Sequence, residues 1–137
     1  MILVSFDATI LSREGMLTNR PSDGELDRKI KAAKAALKTQ AGLFANFNKV
    51  FGELDALNIE KRNQIWELIA ELLEEILPQD YAGTRPPQQS YEKTIAGKEL
   101  FAFCWESKKL GQRMYIKFAL KDNRYYYLSL HKSKVPS

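Results

Sequence analysis

The sequence predicts an α+β domain in the order β-α-α-β-β-β, with an antiparallel sheet and two helices packed on one face of it. Three observations carry this. Apolar residues between Leu26 and Leu77 recur near a helical period. After Glu99 they alternate with a period of two. The helical segments also precede the last three strands as a group, which favours helices on one face of an antiparallel sheet. A chain of 137 residues is read as one domain, 1–137, large enough to bury a core without metal or disulfide staples.

The opening MILVSFDATIL has five apolar residues among its first six and then reaches Asp7. That is too short for a secretory core or a membrane span and reads as a buried strand. Residues 11–21 read as a surface excursion. Ser22-Asp23-Gly24-Glu25 has capping-box spacing. Leu26, Ile30, Ala33, Leu37, Phe44, Phe47 and Phe51 then mark an amphipathic helix that Gly42 kinks or splits and Gly52 ends. Its outer face carries Arg28, Lys29, Lys31, Lys34 and Lys38, a solvated face in the first instance and a phosphate track in the second.

The second helix is expected from Asn58 to Leu77, stopped by Pro78. It has a wide apolar stripe and an acidic remainder of Glu60, Glu67, Glu71, Glu74 and Glu75. Such a stripe packs under a sheet or along another helix, or seats a partner's helix. Residues 79–98, with Pro86-Pro87, read as a connecting loop long enough to suggest function. Strands are expected at Glu99–Glu106, Arg113–Lys121 and Tyr125–Lys132. The helical part thus spans about 22–78, the linker 79–98 and the basic sheet part 99–134.

The net charge of +4 is unevenly spread. Ser107 to Ser137 carries eight Lys or Arg against Asp122 alone, a local +7 that leaves −3 for the rest. Such segregation points to a polyanionic partner. Cys104 is the only cysteine and His131 the only histidine. An intrachain disulfide is therefore impossible, which fits a reducing cytoplasm, and a Cys/His zinc site is disfavoured. The sequence contains no GxGxxG, P-loop, nucleophile elbow or clustered metal ligands, so a cofactor-dependent metabolic enzyme is not expected. No cofactor or metal is expected at all.

The basic charge falls on a hairpin, RMYIKFALKDNRYYYLSLHKSK. Alternation puts Met114, Ile116, Phe118 and Leu120 on one side of its first strand and Tyr126, Leu128 and Leu130 on the matching side of its second. A three-residue loop, Asp122-Asn123-Arg124, makes those sides coincide. It pairs Phe118 with Leu128, Lys117 with Ser129 and Tyr115 with His131. Arg113, Tyr115, Lys117, Tyr125, Tyr127, Ser129 and His131 then share an uncovered face. Lys121 flanks them at the turn, and Lys108, Lys109, Lys132 and Lys134 extend the positive field.

Fixed cations hold phosphates, and tyrosines offer stacking surfaces for bases. His131 is the side chain suited to moving a proton near neutrality. The plain alternative is that β propensity and protection of an exposed sheet account for the same residues.

The element order and the closing GQRMYIKFALKDNRYYYLSLHKSK resemble the RelE/HigB-like toxins of bacterial toxin–antitoxin systems. The likeness is best over Lys98–Lys134. It implies a cytoplasmic, metal-independent endoribonuclease that cuts messenger RNA, on or off the ribosome, and is silenced by a cognate antitoxin. It also implies no association with membranes. Arg113, Lys117, Tyr127 and His131 become the expected catalytic set. Lys108, Lys109, Tyr115, Lys121, Tyr125, Ser129, Lys132 and Lys134 become RNA contacts. The alternatives are a non-catalytic RNA- or ribosome-binding module, or a protein-interaction factor, including a toxin that poisons gyrase.

Overall fold

The structure, a computed structural model, describes residues 20–133. The expected opening strand, most of the excursion over 11–21, and Lys134 lie outside these residues. The class is α+β, with helix α1 (Asp23–Thr39), a short strand β1 (Leu43–Phe44), and helices α2 (Phe51–Ala56) and α3 (Arg62–Leu73). Strands β2 (Phe101–Ser107), β3 (Gln112–Lys121) and β4 (Arg124–Lys132) follow. The sheet runs β1-β4-β3-β2. Its three long strands are antiparallel, and β1 joins β4 in parallel, so the sheet is mixed.

α1 starts as its capping sequence suggests, with the Ser22 hydroxyl accepting from the Glu25 amide at 3.0 Å. It ends much earlier than the apolar period implied. Gln40 turns extended, and the chain passes beneath Trp66 at Gly42. A Cβ at Gly42 would come within 2.6 Å of the Trp66 ring, so this glycine permits a close crossing and does not bend a continuous helix. Phe44 and Phe47 therefore reach the aromatic cluster from a strand and a 3₁₀ turn: Phe44 packs on Phe47, Trp66 and Tyr127.

α3 is shorter than its stripe at both ends. Asn58 adopts a left-handed backbone (φ 59°) that closes the turn after α2. The Gln64 side chain then accepts from the Glu60 and Lys61 amides to start the helix.

Both long helices press one face of the sheet. Leu26 and Ile30 of α1 and Ile65, Ile69, Leu72 and Leu73 of α3 are buried against Phe103, Trp105, Met114, Ile116 and Phe118. Full burial of one such side chain contributes about 1.5–3 kcal/mol, so this layer sets the fold. Glu75, just past α3, clasps it to the sheet. Its carboxylate accepts from Trp105 Nε1 and Ser107 Oγ at 2.8 Å each and from the Lys109 amide at 2.9 Å. Burial pushes the Glu75 carboxyl up, but these hydrogen bonds outweigh it and hold the group below its ordinary range.

The β3–β4 hairpin corrects the expected register. Lys121 pairs with Arg124, so the loop is the two residues Asp122-Asn123. Both have positive φ, 52° and 61°, the type I′ pattern whose twist matches that of paired strands. Phe118 pairs with Tyr127, yet Lys117 still pairs with Ser129 and Tyr115 with His131. The extra residue that the three-residue loop was meant to absorb is in the strand, as a bulge at Leu128.

Toward the turn, Tyr125 and Tyr127 consequently point into the core, while Tyr126 and Leu128 leave it. These two pack on the opposite face with Ile95, Leu100 and Ala119 in a small second cluster. Residues 79–98 are not irregular throughout. They include 3₁₀ turns at Pro78–Asp80 and Lys93–Ile95, bridge to β2 through Tyr81 and Phe103, and bridge to the residues leading into β2 through Gln89 and Glu99.

Candidate nucleic-acid interface

On the face away from the helices, register aligns side chains in rows across β2, β3 and β4. One row is Cys104, Tyr115 and His131, and the next is Ala102, Lys117 and Ser129. The Tyr115 and His131 rings stack, with centroids 5.1 Å apart and planes at 24°. His131 Nδ1 lies 2.9 Å from the Lys132 carbonyl. A carbonyl only accepts, so Nδ1 carries the hydrogen and Nε2 is the atom left to take up a proton. Burial pushes the Tyr115 phenol up, with Cys104 and Tyr81 adding to the effect. Tyr115 is thus a neutral hydrogen-bonding group in ordinary buffers. Arg113 Nη1 sits 3.8 Å from Glu106 across the β2–β3 pair, and that acid offsets part of its charge.

The chain following Tyr81 folds over part of this face and leaves two clefts beside Lys117. One, of about 160 Å³, is lined by Gly83, Ala102 and Tyr115. The other, of about 320 Å³, is lined by Lys49, Gln89, Tyr91, Glu92 and Ser129. Gln88, Leu100 and Lys117 line both. A wider groove of about 1020 Å³ lies between α1 and the hairpin turn, with Arg28, Lys29, Lys98 and Lys121 along it. The basic side of α1 is therefore only partly a plain solvated face. Lys31 pairs with Asp27 and Lys34 with Glu74, while the Lys29 ammonium sits 5.4 Å over the Phe101 ring.

Five expected site residues thus come together: Arg113, Tyr115, Lys117, Ser129 and His131. Tyr127 and Tyr125 do not join them, a correction that follows from the bulge. Tyr127 is buried and its hydroxyl donates to Glu53 at 2.5 Å. Tyr125 is buried with its ring stacked on Phe118. Burial drives both phenols far above their ordinary range, and Glu53 raises Tyr127 further, so neither can ionise to act as a base.

Lys121 remains on the outer side, but its ammonium donates to the Thr94 carbonyl at 2.8 Å and pins the loop. Lys108 and Lys109 stand in the β2–β3 turn, where Lys109 reaches Glu71 of α3 at 2.9 Å. Lys132 pairs with Met114 and so belongs to the rim of the helix-covered side. Lys49, Gln88, Gln89, Tyr91 and Cys104 reach the site without having been named as site residues from sequence. The length of the 79–98 segment was the one signal for three of them.

Among the described residues no group of three or more His, Cys, Asp or Glu is placed to share a metal ion. No described helix is long and apolar enough to cross a membrane. Comparison with protein-family models, with curated proteins and with solved structures gives no match.

Proposed function

We propose that this chain binds RNA across the outer sheet face and cleaves it without a metal, as a cytoplasmic toxin-type endoribonuclease that acts on messenger RNA, on or off the ribosome, and is restrained by an antitoxin. The observation that carries this is the convergence of Lys117, Tyr115 and His131 on the sheet face away from the helices, with Arg113 beside them. RNA supplies its own nucleophile. His131 Nε2 takes the proton of a ribose 2′-OH, whose oxygen attacks the adjacent 3′ phosphorus. The bond from phosphorus to the 5′ oxygen breaks, and that oxygen takes a proton from Tyr115 or water. The products are a 2′,3′-cyclic phosphate and a 5′-hydroxyl end. Lys117 and Arg113 stabilise the charge that builds on the phosphoryl oxygens, the contribution expected to dominate the rate.

The second reading, a non-catalytic RNA-binding module, is favoured by one observation. Tyr127, expected in the catalytic set, is buried on Glu53. Inducing the protein in a bacterial host and mapping new RNA 5′ ends separates the two. Cleavage predicts new 5′-hydroxyl ends and growth arrest, both lost in His131→Ala. Salt-sensitive RNA binding with no new ends in either protein would leave only the binding module. Absence of RNA binding would end both.

A further inference from the structure

We infer that the cleft between residues 88–92 and strands β3 and β4 holds one unpaired nucleotide, its base against Tyr91 and its phosphate at Lys117. This rests on the RNA-binding reading and names the form of RNA preferred, a single strand. The cleft's volume of about 320 Å³ is at the small end of ligand cavities, which run from about 300 Å³, so it suits one nucleotide and no duplex. Tyr91 stands at its rim with 93% of its surface exposed, the most exposed large apolar side chain among the described residues.

The backbone beneath that ring is well tied. The neighbouring Ser90 is buried, its amide donates to the Lys98 carbonyl and its carbonyl accepts from Gly97, both at 2.9 Å. The Ser90 hydroxyl accepts from the Glu92 amide at 3.0 Å. An aromatic ring on an anchored turn, open on both faces, offers a stacking surface to any base.

Polar groups in the cleft complete the case. The Gln89 amide and Ser129 hydroxyl offer both donors and acceptors to a base edge. Glu92 is the one carboxylate lining it, and it is occupied by Lys49 at 3.1 Å and Asn46 at 3.5 Å. Lys117 lines this cleft and the smaller one beside Tyr115, so a strand running between them passes a phosphate over that ammonium. A duplex keeps its bases stacked inside and cannot place one on Tyr91.

The test is fluorescence anisotropy with a labelled single-stranded oligoribonucleotide and with its duplex, at fixed salt. Tyr91→Ala should weaken single-strand binding about tenfold, within the range for loss of one stacked base. Tyr91→Phe should retain it, and duplex binding should change in neither variant. If Lys117→Ala weakens binding while Tyr91→Ala does not, the nucleotide cleft is wrong and the RNA face stands. An equal loss on duplex also overturns the cleft. If the wild-type protein binds neither RNA, both proposals fall.

Discussion

The β3–β4 hairpin has two halves with opposite fates, divided at Leu128. Between the turn and the bulge, Tyr125 and Tyr127 are buried among the helices, and the other face is roofed by Ile95 and Leu100. Beyond the bulge the same strands present Tyr115, Lys117, Ser129 and His131 to the face away from the helices, where they line clefts or stack on one another. Tyrosine therefore serves as core in one half and as candidate contact surface in the other. The teaching is physical: a side chain's role on a strand follows from which face the register gives it, and one inserted residue changes that assignment locally.

The contrast is broken most directly at Tyr127. Tyr127→Ala should cost about 3–5 kcal/mol in urea unfolding, as for other large buried aromatics, whereas His131→Ala should stay within about 0.5 kcal/mol. Similar costs for the two would erase the distinction between the halves.

Deleting Leu128 sharpens it. Phe118–Tyr127 and Lys117–Ser129 would then follow one another as regular pairs, so the faces should survive without the bulge. A loss of about 1–2 kcal/mol is expected from the outer cluster. Magnetisation transfer between the Tyr115 and His131 rings should persist in NMR spectra; its disappearance would mean that the bulge itself aims those rings.

Lys117→Ala should reduce RNA affinity about five- to tenfold and lower the salt slope by about one, consistent with a single phosphate contact. Tyr127→Phe should leave that slope alone.

The smallest expected effect belongs to the covered face. Glu75 has a depressed pKa when folded, so its stabilising contribution is complete above the ordinary glutamate value of 4.5 and is lost as pH falls through the lower folded value. Urea midpoints should drop over that acid range, and Glu75→Gln should flatten this part of the profile. An unchanged profile would remove the clasp.

Period was enough to read much of this fold. Leu26, Ile30 and Ala33, and later Ile65, Ile69 and Leu72, point inward as helical spacing requires. Alternation along β3 sorted Met114 and Ile116 from Tyr115 and Lys117 correctly. Failures came where long-range packing overrides local pattern. Phe44 and Phe47 keep a helical spacing that a strand and a 3₁₀ turn use instead, because Trp66 requires Gly42 beneath it. The extra hairpin residue was detectable, since both apolar faces had to match, but its position in turn or strand was not. Asp122-Asn123 can adopt left-handed backbone and close the shorter loop. Of the candidate site, the cations on β3 were legible. Tyr91 was not, because nothing local tells a loop which surface it will cross.

Glu53 carries one more implication. Among the described residues, strand β1 pairs with β4 over two residues only, which by itself would leave the rest of that edge open to an extended chain. Instead the Glu53 carboxylate takes the Leu130 amide at 2.9 Å and the Tyr127 hydroxyl as well. A foreign polypeptide seeking to lengthen the sheet there would collide with an anchored negative charge. Glu53→Ala should accordingly raise the tendency of concentrated preparations to associate, read as an increase in light scattering over the wild type.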